Sequence, residues 1–103
     1  MRLLFAILIV SSLNIQSPAL AQAGDKAFGE YLSSECVTCH QTSGKSVGAI
    51  PPIIGWPIDQ FLAVMNAYKN KERDNNIMQT IAAKLKEDEL AALATFFESL
   101  KKK

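Results

Sequence analysis

The sequence is short of the side chains from which most sites are built. Among its 103 residues it has one histidine, two cysteines and one tryptophan. A structural zinc site takes about four ligands, and the cysteines and the histidine together fall short of that. An excess of one charge is missing too. Eleven Lys and Arg stand against ten Asp and Glu, so there is no strongly basic face for nucleic acid. Five Gly and four Pro make no low-complexity run, and the composition is not that of a disordered chain. No stretch keeps period two for long, so no sheet is expected. The length excludes a second domain, a large α/β enzyme and a long solenoid. A core of this size usually needs a staple: a metal, a cofactor or disulfides.

What is present begins with an export signal. Met1-Arg2 is a short basic start, and Leu3–Val10 is an unbroken apolar run that Leu13 and Ile15 extend. Pro18-Ala19-Leu20-Ala21-Gln22-Ala23 offers small-x-small cleavage sites after Ala21 and after Ala23. The competing reading is a retained membrane anchor. The run is short for about 30 Å of hydrocarbon, and Ser11, Ser12, Asn14 and Gln16 interrupt it. The expectation is a signal peptide over 1–23 and one domain over 24–103. That domain would be exported to a bacterial periplasm and leave the membrane after cleavage.

The spacing of apolar residues in the domain predicts four helical pieces. Phe28, Tyr31, Leu32 and Cys36 share a helical face within Asp25–Cys36. A loop follows over Gln41–Trp56, broken by Gly44, Gly48, Pro51, Pro52 and Gly55. Pro57 suits a first helical position, and Ile58, Phe61, Leu62, Met65 and Tyr68 form one stripe behind it. Lys69–Asn76 is polar, with Asn70 placed to take a left-handed helix stop. Ile77, Ile81 and Leu85 suggest a short third piece. The last helix opens on Glu87-Asp88-Glu89, acids that the helix dipole favours there rather than a catalytic pair. It buries Leu90, Leu93, Phe97 and Leu100. Phe96, next to Phe97, must face outward unless that helix is covered on two sides.

Cys36-Val37-Thr38-Cys39-His40 carries the chemistry. C-x-x-C-H is the attachment motif of c-type haem. Two thiols three residues apart on a helix end can each add to one vinyl group of the porphyrin, and His40 is then held beneath the iron. A disulfide between these cysteines would close a very small loop and staple little. A thioredoxin-type pair wants a βαβ setting that this chain lacks. A covalent haem also answers the small core, because it brings a large apolar plate for the helices to wrap. The second axial ligand has no second histidine to draw on. Met78 follows a polar loop that can fold back over the open haem face, whereas Met65 sits in an apolar helical stripe where methionine is usually filler. An open or weakly held sixth site is the third option. A His/Met pair stabilises reduced iron and suits electron transfer.

These features together resemble a class I cytochrome c of the short bacterial type, over essentially all of Gly24 to Leu100. The resemblance rests on Gly29, Cys36–His40, Ile50-Pro51-Pro52-Ile53-Ile54-Gly55, Tyr68-Lys69 leading to Arg73, Ile77-Met78, and Ile81-Ala82-Ala83-Lys84-Leu85 before an acidic helix. Within the class it is most similar to the cytochrome subunit of flavocytochrome c sulfide dehydrogenase. The resemblance implies an all-α fold of three to four helices around one covalent haem c and its iron. Gly29 would let the first and last helices cross, opposite Leu93 and Phe97. Pro51, or Pro52 in its place, would accept the Nδ1–H of His40. Met78 matches the axial methionine. Trp56 would pack on the haem edge, bond a propionate or meet a partner. Two departures stand out: Lys71 where a helix-stopping glycine is common, and Lys86 where a serine cap is usual.

The function expected is single-electron transfer by an exported carrier, or by the electron-accepting subunit of a dehydrogenase, with redox proteins and a flavoprotein subunit as partners. The alternative is a five-coordinate or labile-ligand haem with peroxidase or gas-sensing activity.

Overall fold

The computed structural model describes residues 11–13 and 24–100. Most of the expected signal peptide and the Lys101–Lys103 tail lie outside the described residues. Five helices follow one another: α1 (Lys26–Leu32), α2 (Ser34–His40), α3 (Ile58–Lys69), α4 (Asn76–Ala83) and α5 (Glu87–Ser99). No strand occurs among the described residues, only an isolated bridge between Val47 and Ile50.

The first helical piece is two helices, and the second runs on to His40. Ser33 divides them. Its hydroxyl donates to the Glu30 carbonyl at 2.6 Å, and its own carbonyl accepts from the Cys36 and Val37 amides at 2.9 and 3.0 Å. A serine bonding back to the preceding turn competes with the regular ladder and bends the chain. Asp25 opens α1 by accepting the Phe28 amide at 3.1 Å.

The core is built around α5, which buries Leu90, Ala92, Leu93, Ala94, Phe96 and Phe97. It is covered on two sides, so both phenylalanines are inside. Phe97 stacks on Phe61 of α3, with ring centroids 5.8 Å apart. On the other side α1 crosses at Gly29, where a Cβ would lie 2.0 Å from the Ala92 carbonyl oxygen and 2.8 Å from the Phe96 Cβ. The close crossing is as expected, but its partners are Ala92 and Phe96, not Leu93 and Phe97. The two pairs lie one residue apart, roughly 100° around the helix. Beside the crossing, the Gly24 amide donates to Thr95 Oγ1 at 2.8 Å.

The ends of α3 and the starts of α4 and α5 each have their own partner. Pro57 stands one position before α3 rather than inside it. Glu98, from α5, accepts the Ile58 amide at 3.1 Å and so caps α3 from outside. At the other end of α3 the left-handed residue is Lys71 (φ 59), not Asn70, whose φ is −87. The Glu72 amide bonds the Ala67 carbonyl and the Lys71 amide bonds the Tyr68 carbonyl, at 2.8 and 3.0 Å. That pair is a Schellman stop counted from Ala67, and it places the reversal one residue past the asparagine. Asn75 opens α4 by accepting the Met78 amide at 3.0 Å. The Lys86 amide donates to Glu89 at 2.9 Å at the start of α5.

Candidate functional site

The end of α2, the loop that follows it, the inner face of α3 and the first turns of α4 enclose a cavity of about 310 Å³. Cys36, Cys39 and His40 line it from α2. Pro51, Ile53 and Trp56 line it from the loop, Phe61, Met65 and Tyr68 from α3, and Ile77, Met78 and Ile81 from α4. The six residues singled out in the sequence (Cys36, Cys39, His40, Pro51, Trp56 and Met78) therefore meet on one largely apolar cavity. Pro52 is not among its lining residues.

His40 is the last residue of α2, so the helix delivers the imidazole to the cavity. Its Nδ1 lies 2.8 Å from the Pro51 carbonyl oxygen. A carbonyl only accepts, so Nδ1 carries the proton and donates it. The ring is then the tautomer whose Nε2 lone pair is free to bind a metal. The bond ties the imidazole to the loop and fixes its orientation.

Cys36 and Cys39 are both free thiols, Cys36 half-buried and Cys39 exposed. Burial pushes the Cys36 thiol up from 9.0 to about 11, and Glu35 and Cys39 add in the same direction. A reactive redox thiol shows the opposite shift, so Cys36 is not tuned for thiol exchange. Among the described residues no group of three or more His, Cys, Asp and Glu could hold a bare metal ion. That counts against a zinc site.

Met78 is half-buried on the first turn of α4, and Met65 is buried within α3; both line the cavity. Two thiols, an imidazole with a free Nε2 and a thioether on one largely apolar cavity suit a covalently attached haem. Trp56 packs against the core next to this wall. Among the lining residues to which the sequence assigned no site role are Arg73 and Asn75. Asn75 had a signal, since an asparagine three residues ahead of Met78 is an N-cap pattern. Arg73 had only its place in the motif.

The family described as Cytochrome c matches residues 21–101. A thiosulfate dehydrogenase electron acceptor of Stutzerimonas stutzeri is 36% identical over 73 residues, which are 67% of this chain and 34% of that protein. The cytochrome subunit of sulfide dehydrogenase of Chlorobaculum tepidum is 33% identical over 75 residues, 73% of this chain and 68% of that protein. Among solved structures, the thiosulfate dehydrogenase TsdBA of Marichromatium purpuratum in its "as isolated" form superposes with a TM-score of 0.67 at 30% identity, over 84% of this chain and 21% of that one. The chain thus spans about a third of the first relative and about a fifth of the TsdBA chain.

Proposed function

This chain belongs to the cytochrome c family, with its covalently bound haem c and iron, and from that premise we propose that the iron is held between His40 and Met78 and that the protein is an exported one-electron carrier or the electron-accepting subunit of a dehydrogenase. The fold is the all-α class I cytochrome c fold, and the protein transfers electrons.

The observation that carries the reading is the bond from His40 Nδ1 to Pro51 O, which leaves Nε2 free to bind iron in a residue that lines the same cavity as Met78. When bound, haem c supplies an iron that exchanges one electron between Fe(II) and Fe(III), and a His/Met donor pair favours the reduced form. The chain's own residues do the rest. Cys36 and Cys39 would hold the haem through thioether links. Pro51 holds the imidazole in one tautomer and strengthens it as a donor. Met78 offers a thioether from the first turn of α4, which Asn75 caps. Ile53, Phe61 and Met65 keep water from the interior of the cavity, and Trp56 would pack against the haem from the loop side.

Export rests on the leader-like stretch over 1–23, and a periplasmic location follows from it. A dehydrogenase partner, with a flavoprotein that oxidises sulfide as one candidate, draws support from the names of the two relatives. The near balance of charge favours a stable apolar interface over fast electrostatic encounter.

The test is optical. The oxidised protein should show a weak sulfur-to-iron charge-transfer band in the far red, lost in Met78→Ala and kept in Met65→Leu. Loss in the Met65 variant instead would reverse the ligand assignment. Tight carbon monoxide binding by the unaltered reduced protein at neutral pH would point to an open sixth site.

A further inference from the structure

We propose that Arg73 is a positioning residue for Met78, clamping the segment that carries it between α3 and α4. The inference rests on Met78 being the iron ligand.

Three groups of this one residue reach three different places. Its amide donates to the Ala67 carbonyl of α3 at 3.2 Å. Its carbonyl accepts from the Gln79 side-chain amide of α4 at 2.9 Å. Its Nε donates to the Tyr68 hydroxyl at 2.9 Å, and the guanidinium lies over the Tyr68 ring, 5.4 Å from its centroid. Gln79 is the neighbour of Met78, so the Gln79–Arg73 bond grips α4 at the residue next to the thioether. The Tyr68 contact anchors the other side of the grip on α3, which the Phe61–Phe97 stack holds to the core. Arg73 and Tyr68 both line the cavity.

The sequence explains why a clamp is needed. Between Lys69 and Asn76 the chain has no apolar residue, and every residue from Lys69 to Ile77 is exposed. Burial therefore does nothing to fix this segment, although Met78 stands directly after it. Polar bonds must set its position, and Arg73 makes more of them across elements than its neighbours. Lysine cannot substitute in full. It keeps the charge but lacks the planar guanidinium that stacks on the ring while donating from Nε.

The side chain also sets a positive charge on the cavity wall. An added electron is stabilised by a nearby cation, so Arg73 favours the reduced form as well as holding the ligand. Solvent screening at this exposed position makes that the smaller effect.

The experiment uses haem-loaded protein with Arg73→Gln, Arg73→Lys, Tyr68→Phe and Met78→Ala. Arg73→Gln is expected to weaken the far-red band, raise the carbon monoxide affinity of the reduced protein at least tenfold, and raise the oxidised-to-reduced ratio at a fixed ambient potential at least threefold. Tyr68→Phe should give the gain in carbon monoxide affinity with a smaller change in that ratio, because the charge remains. Arg73→Lys should fall between unaltered protein and Arg73→Gln. The double variant Arg73→Gln/Tyr68→Phe should gain no more carbon monoxide affinity than the stronger single change, as expected for two halves of one contact. If Arg73→Gln fails to load haem, Tyr68→Phe decides alone. Band, affinity and ratio all unchanged while Met78→Ala loses the band would overturn the clamp. A band that survives Met78→Ala would overturn the ligand assignment instead.

Discussion

Lys71 shows how a single residue can resist being read. An asparagine beside it is the better left-handed residue by type, so Asn70 is where the sequence points for the helix stop. The turn is set by hydrogen-bond counting. With Ala67 and Tyr68 supplying the last carbonyls, the reversal falls on Lys71 at φ 59. A side chain with a Cβ is strained there, and glycine is not. Lys71→Gly should therefore stabilise the haem-loaded protein by about 1 kcal/mol, seen as a higher urea midpoint with an unchanged slope. No gain would mean that the lysine side chain offsets its own backbone cost. The prolines teach a similar lesson. Nothing in the order Pro51-Pro52 says which carbonyl faces His40, because both prolines carry the same acceptor. Only the folded loop puts Pro51 O at 2.8 Å.

At the scale of elements, the helical stretches were legible because each long piece repeats its apolar residues at helical spacing. Ser33 was not. A serine inside an apolar helical pattern gives no sign of whether it points out or bonds back to Glu30. The α1–α5 crossing was half legible. Gly29 marks a close approach, but Ala92/Phe96 and Leu93/Phe97 are both apolar pairs four residues apart, and only packing selects between them. The start of α5 has half of a reciprocal cap. Glu89 reaches back to the Lys86 amide, yet a lysine side chain cannot accept the return bond from an N3 amide. Lys86→Ser completes the reciprocal pair and should add about 1 kcal/mol, raising the melting temperature of the loaded protein. An unchanged melt would show that water already serves those amides.

The molecule as a whole has one part packed on its own side chains and one that faces the cofactor site, and neither is large enough to hold without the other. α5, α1 and α3 share the buried aromatic core, whereas α2 buries no residue of its own. Its Cys36 and Cys39, with Ile50, Pro51, Ile53 and Trp56 of the loop that follows, line the cavity. For a chain this small, apolar burial roughly cancels about 1.5 kcal/mol of ordering entropy per residue, so the cavity wall has little to hold it without haem. Cys36→Ala/Cys39→Ala, made without haem, should show weak helicity and no cooperative melt by circular dichroism. A sharp transition would mean that the three longer helices form a finished bundle to which haem is merely added.

The contact between the Gly24 amide and Thr95 bears on topology as well as stability. Leu100 stands five residues beyond Thr95, roughly 8 Å along the chain's path at helical rise. The two ends of the described stretch 24–100 are therefore spatial neighbours, and the linear order of its segments is a matter of history rather than of packing. A circular permutant that joins Leu100 to Gly24 through a few Gly and Ser residues, and opens the exposed stretch at Thr42-Ser43, keeps every helix and leaves Cys36–His40 uncut. It should still attach haem and show the same far-red band.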